Sequence, residues 1–370
     1  MQAEKKYYRQ LDSLRAFAVA GVTWHHWMPD YNGFFPFFSG VELFFVLSGF
    51  LITGILLNAK RQANEYNGSL KNILKSFYFR RFLRIFPLYY AVLIWATALN
   101  ISNLRSTWPW HYFYFSNFYL IHVGHLDEEI THFWTLAVEE QFYLVWPFVI
   151  LLISNRSLLY VLWFVFAVGP IYRLIGGLFF STIEWWDIGT LGNLDSLGIG
   201  ALLAYYKHNS SNIPTWLNLN KVKYTAVLVL VIGIILISTT SILNVSLERF
   251  LYFAFLSLIY VILINACIEG VRGLTGRVLN FSPLVYLGSI SYGIYVLHNF
   301  AHYPAYFMLD HLTFMNQIPG KILILKLFST LSLAILSWHF FEKPFNQLKR
   351  YFPYYQEAHN HLPLRIGDET

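Results

Sequence analysis

Windows of about twenty mostly apolar residues recur ten times along this chain, and at roughly 1.5 Å per helical residue each is long enough to cross a bilayer core. They fall at residues 11–28, 39–57, 85–101, 133–153, 157–178, 190–206, 224–242, 249–268, 283–303 and 321–341. Inside hydrocarbon every backbone N–H and C=O needs a partner from the protein itself. A helix supplies all of these within its own segment. The expected fold is therefore all-α, a polytopic integral membrane helical bundle of about ten transmembrane helices. Of the 370 residues, 56% are hydrophobic and 12% charged, against about 25% charged in an ordinary soluble domain. A soluble fold is excluded.

A formal charge of +6 raises the question of a nucleic-acid partner, and the placement of the charges answers it. Most of the 26 Lys and Arg fall in alternate connecting segments, from Lys5 to Arg9, Lys60 to Arg84, Lys207 to Lys223, Arg272 to Arg277 and Lys343 to Arg365. That is the bias that holds basic loops on the cytoplasmic side, with both termini inside, and it needs no nucleic acid. The single Cys267 rules out an intrachain disulfide and any CxxC site. Residues 1–345 read as one membrane domain and 346–370 as a short cytoplasmic tail. Residues 102–132 form the longest outer segment, expected to lie at the interface or to fold back into the protein.

Ionisable groups inside apolar windows are costly, at least about 2.5 kcal/mol each on insertion scales, and so mark functional candidates. Arg15 and His26 share the first window. Eleven positions apart on a helix, they differ by ~20° around the axis and ~16 Å along it, so both are expected to face one cavity at different depths. Position alone offers another reading, with Arg15 snorkelling inward and His26 at the outer interface. Glu42 opens the second window at about the level of His26, where a carboxylate can orient an imidazole. Gly49 and Thr53 suit close helix packing. Arg80 and Arg84, one turn apart beside Arg81, can clamp phosphates with guanidinium forks or simply anchor the topology. Glu139 and Glu140 lie within the fourth window, Asp195 in the sixth, and Ser291, Tyr292, Tyr295 and His298 in the ninth. His298 with His302, or His122 with His125 beside Asp127, have metal-ligand spacing but lack a diagnostic third ligand, so no metal is expected.

These motifs together resemble the acyltransferase 3 family of integral-membrane bacterial O-acyltransferases. The resemblance runs over most of residues 8–345 and rests on six segments in order. They are Leu11-Asp12-Ser13-Leu14-Arg15-Ala16 with His26; Gly40 to Phe50; Arg80-Arg81-x-x-Arg84-Ile85-x-Pro87; Trp134 to Tyr143, including Glu139 and Gln141; Ser291 to His298; and Phe341-Glu342-Lys343-Pro344. Thr135 stands where the family often has Ser. About 29 residues follow the tenth window, so the chain reads as a stand-alone form without the SGNH-type domain many members carry.

The resemblance implies transfer of an acyl group, commonly acetyl from acetyl-CoA, onto a hydroxyl of a cell-envelope or exported polysaccharide or glycolipid, in the bacterial cytoplasmic membrane. His26 would act as general base or as transient acyl carrier, Glu42 would orient it, and Arg15 would position the donor. Arg80, Arg81 and Arg84 would meet the CoA phosphates. Glu139, Gln141, Asp195, Tyr295 and His298 would shape or bind within the cavity. A transporter or flippase of a glycolipid also suits buried charges among many helices. Outer tryptophans Trp108, Trp110, Trp185 and Trp186 can stack sugar rings or anchor the protein at the membrane boundary.

Overall fold

The computed structural model describes residues 7–28, 40–66, 68–124, 128–179, 186–209, 227–228, 231–233, 235, 245–311 and 320–354. The expected span at 224–242, and Trp185, His125 and Asp127, lie wholly or largely outside them. Among the described residues the secondary structure is helical, with no strand. The longer helices are α1 (Arg9–Trp27), α2 (Gly40–Glu65), α3 (Leu70–Ala98), α4 (Leu104–Tyr112), α5 (Ser116–Val123), the short α6 (Glu128–Thr131), α7 (Phe133–Leu152), α8 (Asn155–Phe179) and α9 (Leu194–His208). After these come α10 (Val245–Glu269), α11 (Gly273–Leu279), α12 (Ser282–Ser289), α13 (Ser291–Leu297), α14 (His302–His311) and α15 (Lys321–Ser337). A π-helical turn at Trp338–Glu342 continues α15.

Five of the described helices are long and apolar enough to cross a membrane, or six if the bent pair Leu70–Ala98 and Ile101–Tyr112 counts as one span. The all-α polytopic membrane fold thus stands, on fewer qualifying helices than ten windows. The reasons are local. Helix α9 has only 15 residues. The ninth window is not one helix but three pieces, α12, α13 and a 3-10 turn at His298–Phe300. Side chains bond the carbonyls at these breaks: Ser289 Oγ donates to Tyr286, and His298 Nδ1 to Tyr295. Polar side chains of this kind are what make a broken helix tolerable inside a membrane protein.

Close approach of backbones, not bulk, holds the centre. Helix α2 packs most extensively on α9, and a Cβ on Gly49 would meet the Leu197 carbonyl oxygen at 1.9 Å, one on Gly200 the Val46 carbonyl at 2.1 Å. In lipid, where apolar side chains gain nothing by leaving their solvent, small residues that let helices touch are a main source of association. Thr53 is fully buried and accepts a hydrogen bond from Trp146 Nε1 at 2.8 Å, tying α2 to α7. Helix α1 is pinned at its start. Gln10 exchanges two hydrogen bonds with the backbone of Val271 (3.0 and 2.9 Å), Ser13 Oγ donates to Leu279 at 2.7 Å, and Gly288 sits against the Asp12 carbonyl. These contacts fix the rotation of α1, and with it where Asp12 and Arg15 point.

The described residues of the 102–132 segment fold back onto the bundle. The chain bends by 112° after α3, with Asn100, Ser102 and Asn103 at φ between 51° and 53°. Gln141 on α7 then donates to the Tyr114 carbonyl at 2.7 Å and to Asn117 Oδ1 at 3.0 Å.

Candidate functional site

Helices α1, α2, α3, α7 and α13 enclose a cavity of about 470 Å³. The end where the chain enters α1 carries Tyr7, Tyr8, Asp12 and Arg15 from the N-terminal side, and α3 adds Arg81 and Arg84 to the lining. Deeper in, apolar side chains such as Phe44, Leu47 and Leu136 alternate with Ser48, Glu139 and Tyr143, and the far end is formed by Thr135 and Tyr295. The lining thus combines three guanidiniums, two carboxylates and a majority of apolar and aromatic side chains.

The charges are unevenly matched. Asp12 is bonded by Arg15 and accepts a hydrogen bond from Tyr7 Oη at 2.5 Å. Glu139 accepts from Ser48 Oγ at 2.5 Å, and Tyr143 donates to the same hydroxyl at 3.0 Å, so three cavity side chains form one chain. Arg81 lies over the Tyr143 ring, 4.8 Å from its centre. Among the described residues neither Arg81 nor Arg84 makes a recorded hydrogen bond or ion pair. Each of these guanidiniums presents a fork whose geometry matches a phosphate or carboxylate in a bidentate way.

Arg80 does not join them. It donates to the carbonyls of Lys349 (2.8 Å) and Phe352 (3.0 Å) and lies over the Tyr354 ring, fastening the C-terminal segment to α3. The basic motif therefore divides. Arg81 and Arg84, three positions apart, share the cavity face, and Arg80 faces the tail.

Beyond the far end lies a cluster of imidazoles. The ring of His26 is 5.1 Å from that of His298 and 6.4 Å from that of His132, and His132 and His298 are 4.8 Å apart. Tyr295 separates this cluster from the cavity. Its ring lies 5.5 Å from His132 and 5.8 Å from His298. The hydroxyls of Thr135 and Tyr295 meet each other and the main-chain carbonyl of His132, which lies 3.0 and 2.8 Å away. The expectation of one cavity shared by Arg15 and His26 is corrected here: Arg15 lines it, whereas His26 stands outside its lining, behind Thr135 and Tyr295. No set of three His, Cys, Asp or Glu among the described residues is arranged to hold a metal ion.

Glu42 is buried, but it makes no hydrogen bond or ion pair with His26, and its Oε2 has no partner among the described residues. Asp195 lies away from the cavity in a buried fork with Arg173, at 3.2 and 2.5 Å, which joins α9 to α8. Gln141 is committed to the 102–132 segment and to Thr190. Glu139 and Tyr295 do line the cavity. Sequence reasoning passed over Ser48, His132 and Arg173 as partners. The cost of a polar group in an apolar window would have flagged Arg173 just as it flagged Arg15 and His26, whereas His132 stands one residue before its window.

The acyltransferase domain family matches residues 8–339. The chain is similar to the peptidoglycan O-acetyltransferase OatA of Listeria monocytogenes, with 30% identity over 377 residues, covering 92% of this chain and 56% of the relative. It is also similar to the O-acetyltransferase OatA of Staphylococcus aureus, with 28% identity over 364 residues, covering 92% and 57%. The chain thus spans little more than half the length of these relatives. No solved structure matches. With nearly the whole bundle and its cavity inside the matched region, the chain belongs to the acyltransferase domain family.

Proposed function

We propose that this protein is a membrane O-acyltransferase that takes an acyl group, acetyl in the first instance, from cytoplasmic acetyl-CoA and passes it to a hydroxyl of a cell-envelope glycan. The observation that carries this reading is the cavity's lining: Arg15, Arg81 and Arg84, a largely apolar wall, and Thr135 and Tyr295 against the His26 cluster. CoA has matching polarity, with phosphates at one end and a neutral pantetheine thioester at the other. The phosphates bond the guanidiniums, the arm fills the channel and the thioester reaches Tyr295. His26 then takes the proton of the acceptor hydroxyl, or carries the acyl group transiently. Tyr295 and Thr135 stand between thioester and imidazole, so transfer requires their side chains to part. The names of the relatives support a peptidoglycan-like acceptor, and the basic loops support a bacterial cytoplasmic membrane with both termini inside.

The test is thiol release by the purified protein in proteoliposomes. Acetyl-CoA plus an N-acetylglucosamine oligomer yields free CoA thiol and acetylated sugar, and His26→Ala abolishes both. Glycan movement without thiol release would support a flippase instead. Full activity in a folded His26→Ala protein would refute the enzyme reading.

A further inference from the structure

The three clustered histidines are not chemically equivalent, and their hydrogen bonds say which one is free to act. His132 is fully committed. Its Nε2 lies 3.3 Å from the Val296 carbonyl, which can only accept, so Nε2 carries the proton, while Nδ1 takes a hydrogen bond from Asn299 Nδ2 at 3.1 Å. His298 is half committed. Its Nδ1 lies 2.6 Å from the Tyr295 carbonyl and so bears the hydrogen, leaving Nε2 as a bare lone pair. That Nε2 is fully buried with no partner among the described residues. A buried acceptor left unpaired is costly, and the neighbouring ring with no hydrogen bond of its own among the described residues is His26.

We propose that His298 is a positioning residue for acyl transfer: its Nε2 accepts the ring N–H of His26 and so aims the lone pair of the other His26 nitrogen at the acceptor hydroxyl. Ring centres 5.1 Å apart let a turn of the His26 ring bring facing nitrogens within the roughly 3 Å of a hydrogen bond, and such bonds are often long before substrate binds. This assigns to a neutral imidazole the orienting task that depth along the chain suggested for Glu42. The inference rests on the acyltransferase reading above. In the step, the acceptor O–H breaks and its proton passes to His26, whose second N–H stays shared with His298. The acceptor oxygen bonds the acyl carbon, the carbon–sulfur bond of the thioester breaks, and the proton ends on the departing thiolate.

Two substitutions in the full-length reconstituted protein separate positioning from packing. His298→Asn keeps an amide N–H where Nδ1 was, and so keeps the bond to the Tyr295 carbonyl, but has no atom at Nε2. His298→Gln places an amide oxygen where Nε2 was and gives up the Nδ1 bond. With acetyl-CoA and an N-acetylglucosamine oligomer, positioning predicts that His298→Asn lowers kcat about 100-fold with KM for acetyl-CoA unchanged, and that His298→Gln restores kcat to within about tenfold of wild type. A packing role predicts the reverse order, and near-wild-type kcat in His298→Asn, or a Gln variant no better than Asn, overturns the proposal. His26→Ala run in parallel keeps the two ideas apart. If it is inactive while His298→Asn is unaffected, only the positioning role falls; if it is fully active, the transfer reading falls with it.

Discussion

Arg84 brings a full charge into the cavity with no ion pair among the described residues, while Arg80, one turn away, spends its donors on the C-terminal segment. The two should therefore respond differently to loss. Arg84→Ala is expected to raise KM for acetyl-CoA about 10–100-fold with a small effect on kcat, the size of a charged hydrogen bond. Arg80→Ala should leave KM within about twofold. Steady-state kinetics on the two purified variants decides, and equal effects would mean that the division of the motif is wrong. The sequence could mark these arginines as costly but could not say which of them face the cavity, since residues three and four apart both share a helix face. The same limit explains Glu42. Depth along a span can be counted from residue numbers, but rotation about its axis is set by neighbours, here by the glycine contact of α2 with α9.

At the scale of elements, the buried fork between Arg173 and Asp195 puts a structural role where a cavity-lining role was expected of Asp195. Both side chains are nearly inaccessible, at 3% and 1% exposure, and removing one partner strands the other charge in a dry interior. Asp195→Ala should destabilise the protein by about 3–5 kcal/mol, seen as a lower thermal midpoint in detergent, while the folded fraction keeps its KM for acetyl-CoA. An Asp195→Ala protein of normal stability that cannot turn over would instead return Asp195 to the chemistry. Helices α2, α7, α8, α10 and α15 were legible because hydropathy measures what lipid selects. The break of the ninth window into α12, α13 and a 3-10 turn was not, because Ser289 and His298 bond the carbonyls at the breaks without lowering the mean apolarity of the window. Helix α3 begins at Leu70, well before its apolar window, since the basic run from Lys71 to Arg84 is polar yet helix-forming.

For the whole molecule, a cavity with Arg15, Arg81 and Arg84 in its lining and the cluster of His26, His132 and His298 meet at Tyr295. Only the acyl group would need to pass that point. Sidedness is therefore the property that matters most, and it can be measured in proteoliposomes of known orientation. Acetyl-CoA would be supplied only on the face proposed to be cytoplasmic and an N-acetylglucosamine oligomer only on the opposite face, with acetylated sugar read by mass spectrometry. Transfer across the sealed bilayer, absent when acetyl-CoA is placed on the other face and absent in His26→Ala, is the predicted result. Acetylation only when donor and acceptor share one compartment, or undiminished acetylation in His26→Ala, would contradict it.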